Sequence, residues 1–265
     1  MCGRFTHLFT WRELHDLMRL TTWPPVELQQ RYNVAPRQTA PVVVQDPAAG
    51  APAPRRAAMM RWGLVPGWAM KAAAGAAASK AAEGLINARS ETARTKPTFR
   101  SAFEKRRCVV PVSGFYEWRT VKAPRADGGG PGGKGETTRK VPLYITLAGG
   151  GPMLLAGLWE PGAEPGAETF AILTCAPNDA MATVHDRMPV ILNAGDAGAV
   201  DRWLDAGLKG EQVEGLLTPA PDGTLELREV GTLVNSVKNE GAELLEPPSA
   251  VRGREKKPEG PTLWG

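Results

Sequence analysis

The chain has 265 residues, 42% of them hydrophobic, and a formal charge of +4, which suits one large domain or two small ones around a sizeable core. No apolar run approaches the roughly 18 residues of a membrane span and the first residues carry no signal-like apolar stretch, so work away from a membrane is expected. Three widely spaced cysteines (Cys2, Cys108, Cys175) and three histidines exclude a disulfide framework, a zinc cluster and most His-rich metal sites, and point to a reducing cytoplasm.

Thr10-Trp11-Arg12-Glu13 has the form of a capping box, and Trp11, Leu14, Leu17 and Met18 follow at helical spacing. This predicts a short amphipathic helix ending before Trp23-Pro24-Pro25. Pro41 to Gln45 and Ala57 to Trp62 read as strands separated by a Pro/Ala/Gly loop, and the alanine-rich Met70 to Gly84 suits a helix or a mobile loop. Further strands are predicted over Arg107–Ser113, Phe115–Arg119, Val141–Leu147, Met153–Glu160, Thr169–Thr174 and Met188–Leu192. Between them, Lys122 to Arg139 is rich in glycine and charge and reads as a flexible excursion. Asn178 to Thr183 would form a helical turn, and Asp196–Leu204 and Glu211–Leu217 read as helices. Many short strands, few helices and no βαβ rhythm predict a single α+β domain over residues 2–245. Its mostly antiparallel sheet would be strongly curved or barrel-like, with a few flanking helices. Residues 246–265, dominated by proline, glycine and charge, are expected to form a poorly ordered tail.

Cys2 is the most informative residue. A small side chain behind Met1 favours removal of the methionine, and the new terminus is a 1,2-aminothiol. A free α-amine titrates at roughly 7.7–8.0 and a free thiol at about 8.5, so both are partly reactive near neutrality. The amine condenses with an aldehyde to an imine, and the thiol then closes a thiazolidine on the same carbon. The other use of such a terminus is amide hydrolysis with the α-amine as base.

Three further clusters place polar groups in apolar or turn-like surroundings. In Leu85-Ile86-Asn87-Ala88-Arg89-Ser90-Glu91-Thr92, Asn87 and Arg89 share a face if the segment is extended. In Gly114-Phe115-Tyr116-Glu117-Trp118, a carboxylate lies between aromatics that would shield it from water and suit it to proton transfer. In Val184-His185-Asp186-Arg187-Met188-Pro189, a lone histidine precedes an apolar strand. Each also has a plain structural reading: Asn87 as a turn cap, Glu117 as a solvated strand residue, His185 as a surface histidine held by Asp186 or Arg187. Together with Cys2 they supply a nucleophile, a carboxylate acid/base, an imidazole and an amide orienter. Eight tryptophans against three tyrosines and six phenylalanines is an unusual balance. Those in Arg61-Trp62-Gly63 and Pro66-Gly67-Trp68 suit either base stacking or core packing.

These blocks, with Met1-Cys2-Gly3-Arg4-Phe5, Tyr32-Asn33-Val34-Ala35-Pro36, Arg61-Trp62-Gly63-Leu64-Val65-Pro66, Arg107-Cys108-Val109-Val110-Pro111 and Ala156-Gly157-Leu158-Trp159, resemble the SOS response-associated peptidase (SRAP) family. Its members capture abasic sites in single-stranded DNA. The blocks run in family order from residue 1 to roughly 205; the 70–84 and 122–139 segments are longer than the family pattern. The resemblance implies a DNA-repair protein of the SOS damage response that forms a covalent crosslink through Cys2 to an abasic site, with possible lyase and autopeptidase activity. By the same resemblance His185 assists opening of the sugar ring, Glu117 shuttles protons and Asn87 orients the Cys2 terminus. Arg4, Arg89 and Arg100 would grip phosphates, and Trp62 and Pro36 would stack on or wedge beside bases. No metal or other cofactor is implied. The expected partner is abasic single-stranded DNA or a single-strand/duplex junction, met by a cytoplasmic monomer that joins the nucleoid when bound. Two other classes stay open at this point: a peptidase acting on other proteins, and a non-catalytic single-strand binder.

Overall fold

The computed structural model describes residues 2–45, 53–71, 84–124, 136–164 and 166–248. Near the start, the Thr10 hydroxyl accepts from the Glu13 N–H at 3.2 Å while the Glu13 carboxylate accepts from the Thr10 N–H at 2.7 Å. This reciprocal pair starts helix α1 (Trp11–Met18) as the sequence predicts. Trp11, Leu14 and Met18 turn inward, whereas Leu17, at the edge of that stripe, is exposed. Arg19 adopts a left-handed backbone with φ 52° and ends the helix.

Strands β4 (Thr39–Gln45), β5 (Arg55–Trp62), β7 (Arg107–Val112), β10 (Met153–Glu160) and β11 (Thr169–Cys175) form the larger sheet. They pair in the order β11-β10-β7-β4-β5, and β5 meets β11 again through Thr169↔Arg61 and Phe170↔Trp62. The strand circuit therefore closes, which leaves no edge on it. Strand β2 (Leu20–Thr22) extends from β5, while β6 (Asn87–Arg89) and β12 (Met188–Pro189) join β11. A second, antiparallel sheet runs β13 (Leu225–Glu229), β9 (Glu136–Leu147), β8 (Gly114–Pro124), β1 (Phe5–His7) and β3 (Arg31–Val34). Short helices α2 (Gly67–Lys71), α3 (Ser90–Ala93), α4 (Arg100–Lys105), α5 (Asp179–Ala182), α6 (Ala199–Leu204) and α7 (Gly210–Val213) flank the sheets. The architecture is the single curled-sheet α+β domain expected from the sequence.

Every residue of β7 and of β11 is buried, as continuous apolar runs require. The charged exception is Arg107. Its guanidinium donates to the carbonyls of Trp203 at 2.7 Å, Phe103 at 3.0 Å, Asp205 at 2.5 Å and Leu208 at 2.8 Å. The planar five-donor fork thus pins α6 and the loop after it to the barrel and keeps no donor direction for a ligand.

Two readings change. The Lys122–Arg139 excursion is a hairpin at both ends: β8 and β9 stay in register out to Pro124↔Glu136, because ladder bonds to a paired strand outweigh weak strand propensity. Residues 125–135 lie outside the described residues, as do most of the 70–84 segment and residues 249–265 of the tail. The helix expected from Asp196 begins only at Ala199, because the Asp196 carboxylate accepts from the Gly198 N–H at 2.9 Å and makes a turn first.

His7 on β1 is 1% exposed, faces Arg31 across the β1–β3 pair and packs its ring 5.9 Å from Phe9. Neither ring nitrogen has a hydrogen-bond partner among the described residues. Burial first, and the Arg31 cation second, hold its pKa down at about 4. An unfolded imidazole near pKa ~6.5 therefore takes up a proton that the native one refuses, and native stability falls as pH drops from about 6.5 towards about 4, by roughly 3 kcal/mol in total. His7→Phe keeps a buried ring without the proton. Urea unfolding at pH 7 and pH 4.5 is expected to show the variant losing about 2–3 kcal/mol less than the native chain over that interval; parallel losses in the two proteins would show that His7 does not set the acid response.

Candidate functional site

The β1–β8 register builds the centre of the site. Phe5 pairs with Phe115 and Thr6 with Gly114, and the Tyr116 N–H donates to the Arg4 carbonyl at 2.9 Å. The antiparallel course carries residues 2 and 3 alongside Glu117 and Trp118. Gly114 permits this approach, because a Cβ there would lie 2.4 Å from the Tyr144 ring. Without it, the Thr6 and Tyr144 hydroxyls bond at 2.8 Å.

Along β8, Phe115 and Cys2 belong to the main core, whereas Tyr116 packs in a second cluster with Tyr144 and Val234, and Trp118 leans on that cluster. Glu117 is 5% exposed. Strand neighbours point to opposite faces, so Tyr116 and Trp118 do not cover Glu117 as their adjacency in sequence suggested. Glu117 shares its face with Phe115, and the packing around Cys2 shields it.

Cys2 is 1% exposed. Burial, and next the negative charge of Glu117, push its thiol up to about 12, against a smaller opposing effect from the Arg4 backbone N–H. Asn87 donates from Nδ2 to the Cys2 carbonyl at 2.9 Å. Its Oδ1 is buried with no hydrogen-bond partner among the described residues, which leaves an acceptor beside the Cys2 backbone.

Asn87 is held there by β6, which runs parallel to β11 with Ile172↔Asn87, Leu173↔Ala88 and Thr174↔Arg89 in register. The segment is extended, so Asn87 and Arg89 share a face as the sequence predicted. Arg89 is exposed. On the other side of β11, Cys175↔Met188 brings in the His185 segment. Arg187 ties the two motifs together: Nη1 and Nη2 meet the Glu91 carboxylate at 2.6 and 2.8 Å, and Nη2 also reaches the Thr174 carbonyl. This fork holds the Glu91 carboxyl below the usual range. The partners are 96 positions apart, and no spacing rule connects them. Both stand inside recognised blocks, but only the fold supplies the pairing.

His185 Nδ1 lies 3.0 Å from the Arg187 N–H and 2.7 Å from Asp186 Oδ1. It accepts the first bond when unprotonated and donates the second only when protonated. Asp186 is 82% exposed, so the backbone bond is the stronger constraint. It places the neutral ring's proton on Nε2.

The other sequence-selected residues divide. Arg4 is partly buried and donates from Nη1 to Asn33 Oδ1 at 2.6 Å and to the Val234 carbonyl at 2.7 Å, with its guanidinium over Trp118. Trp62 is wholly buried between Phe5 and Phe170, and its indole N–H donates to the Ile86 carbonyl at 2.9 Å. It sits where β5 closes on β11 and presents no face to a base, so core packing explains it. The exposed aromatic of this stretch is Trp68, 49% accessible. Pro36 stands half-buried on the β3–β4 turn, where the Arg37 N–H donates to the Trp62 carbonyl at 2.7 Å. Arg100 is exposed on the first turn of α4, which packs on β7 and β10 rather than on β1, β6 or β8. Among the described residues no helix is long and apolar enough to cross a membrane.

Comparison with known proteins gives a consistent answer. The model of the SOS response associated peptidase (SRAP) family matches residues 1–237. The abasic site processing protein YoaM of Bacillus subtilis is 34% identical over 93% of this chain and 98% of its own length. The abasic site processing protein YedK of Escherichia coli is 28% identical over 93% and 100%, and HMCES of Mus musculus, another abasic site processing protein, 28% over 98% and 80%. A crystal structure of a Bacteroides thetaiotaomicron protein shares the fold with a TM-score of 0.71 at 21% identity, covering 93% of this chain and 99% of that one.

The covered, protonated thiol makes Cys2 a poor target for a small alkylating agent while Met1 is in place. With a pKa near 12, its thiolate fraction at pH 8 is lower than that of a free cysteine by roughly 10³. Iodoacetamide at pH 8, followed by peptide mass spectrometry, is expected to label Cys2 only after denaturation. Labelling of the folded, Met1-bearing chain at the rate of free cysteine would contradict this burial.

Proposed function

This chain belongs to the SOS response associated peptidase family, and from that premise we propose that it processes abasic sites in single-stranded DNA by bonding covalently to them through Cys2. The observation that carries the reading is the convergence of two side chains on Cys2: Asn87, whose Nδ2 lies 2.9 Å from the carbonyl and whose Oδ1 has no partner among the described residues, and a buried Glu117 whose charge acts on the sulfur. While Met1 is attached, the Cys2 nitrogen is an amide and cannot form an imine. The reactive species is the chain processed to Cys2, whose amine would donate to Asn87 Oδ1 and be held for attack.

The chemistry runs in three stages. The Nε2 side of His185 assists opening of the deoxyribose hemiacetal, which frees the aldehyde at C1′. The Cys2 amine adds to that carbon, Glu117 protonates the departing hydroxyl, and water leaves to give the imine. The thiol then gives its proton to the Glu117 carboxylate, sulfur adds to the imine carbon and nitrogen takes a proton, closing the thiazolidine. One aldehyde and one aminothiol thus yield one ring and one water. The lesion has no base to read, so phosphate contacts dominate binding. Arg89, exposed on the Asn87 face, is the first of these, with Arg4 and Arg100 as further cations. Pro36 acts as a wedge, and Trp68 supplies the stacking surface that Trp62 lacks. In this reading the protein works as a cytoplasmic monomer and prefers single strands and junctions to duplex.

Denaturing electrophoresis after incubation with an abasic oligonucleotide tests the proposal. The processed native chain is expected to give a heat-stable shifted band and Cys2→Ser none, although an imine remains trappable by borohydride. Glu117→Gln, His185→Ala and Asn87→Ala should slow single-turnover crosslinking, by roughly 10²–10⁴ where proton transfer limits the rate, while DNA affinity persists. A heat-stable adduct from Cys2→Ser, native rates for Glu117→Gln and His185→Ala across pH 5–9, or equal reaction within a long duplex would each defeat the corresponding part. Cleavage of a test protein without any DNA adduct would instead make the chain a peptidase.

A further inference from the structure

At the Gln45 end of β4, a cavity of about 390 Å³ opens between Gln45, Arg56, Lys105, Arg106, Arg107 and Trp159. None of these residues takes part in the chemistry around Cys2. The cavity size falls within the range of small-molecule sites, roughly 300–1,000 Å³.

The charges that line it are unbalanced. Arg107 is spent on backbone carbonyls. Arg106 donates from Nη2 to Glu160 at 2.6 Å and to Ser101 at 3.1 Å, which commits it to the protein. Arg56 lies with its guanidinium 6.0 Å from the centre of the Trp159 ring. No carboxylate pairs with Arg56 or Lys105 among the described residues. The carboxylates nearby are already engaged, Glu160 by Arg106 and Asp201 by Arg55. Gln45 is committed as well, its side-chain amide donating to the Ala53 carbonyl at 2.9 Å. The site therefore offers two cations with no carboxylate partner among the described residues, one of them 6.0 Å from the centre of the Trp159 ring.

We infer that this cavity binds a phosphate monoester, carried either by a free nucleotide or by the 5′ end of a DNA strand. A monoester carries a charge of about −1.5 to −2 near neutrality and three strong acceptor oxygens, which the Arg56 and Lys105 side chains lining the cavity match in sign. A guanidinium whose charge lies within cation–π range of an aromatic ring is partly positioned before it engages such an anion.

Calorimetric titration of the full chain with thymidine 5′-monophosphate, thymidine and inorganic phosphate tests this. The monophosphate is expected to bind saturably and thymidine not at all, and Arg56→Ala and Lys105→Ala are each expected to weaken binding at least about tenfold. Arg56→Lys keeps the charge but loses the fork, and should bind with intermediate strength. Two abasic-free oligonucleotides, one 5′-phosphorylated and one 5′-hydroxyl, separate the sources. Preference for the phosphorylated strand assigns the site to strand ends, and no preference alongside monophosphate binding assigns it to free nucleotides; both uphold it. Cys2→Ser should bind the monophosphate like the native chain and the Arg56→Ala chain should crosslink like it, so failure here is separate from failure of the Cys2 reading. Absence of saturable monophosphate binding at millimolar concentration, or binding unchanged in both alanine variants, would overturn the inference.

Discussion

The pairing of β1 with β8 is the constraint on which the site depends. Once Phe5 lies opposite Phe115, strand geometry brings residues 2 and 3 alongside Trp118 and Glu117, and it puts the Glu117 side chain on the core face with Phe115, where Cys2 also packs. A slip of one residue would turn Glu117 to the Tyr116 face and leave the thiol without a carboxylate. Register is guarded from several sides. Gly114 leaves room for the Tyr144 ring, the Thr6 and Tyr144 hydroxyls bond across the strands, and the Tyr116 hydroxyl donates to the Tyr32 carbonyl at 2.9 Å. The residues beside Glu117 in sequence thus serve it by fixing its strand, not by covering its carboxylate.

The closed circuit of the larger sheet supplies the second half of the site. Strand β11 carries β6 along part of one side and β12 beside its C-terminal end, so the Asn87 and His185 segments approach each other through a single shared strand. Hydrogen bonds from Arg187 to Glu91 and Thr174 lock that arrangement. Arg187 is partly buried while Glu91 is half exposed, so the bidentate geometry and the added bond to Thr174, more than burial, give this contact its hold. Asn87 and the Cys2 carbonyl therefore meet on two independently braced elements, which favours a preorganised terminus.

Arginines in this molecule do different work according to what surrounds them. Arg107 and Arg187 bond protein carbonyls, and Arg187 the Glu91 carboxylate as well, and both act as internal fasteners. Arg89 is exposed, and Arg56 lies 6.0 Å from the centre of the Trp159 ring with no carboxylate partner among the described residues. A net charge of +4 conveys nothing of this division, since hydrogen-bond saturation and not formal charge decides whether a guanidinium can accept a phosphate.

Local patterns in the chain were enough for the capping box of α1, the apolar runs of β7, β10 and β11, and the curled α+β class, because the spacing of residue types along a short stretch signals each of them before any distant partner is known. The chemistry-bearing residues were also legible, as polar groups set in apolar runs. Short strands such as β1, β3 and β6 were not, for three or four residues carry too little periodicity to register. The burial of Trp62, the facing of Glu117 away from its aromatic neighbours, the Arg187–Glu91 clamp and the unbalanced cavity beside Trp159 all belong to the tertiary structure. In each of them the deciding partner lies on a different strand, and only the closing of the sheets brings the two within bonding distance.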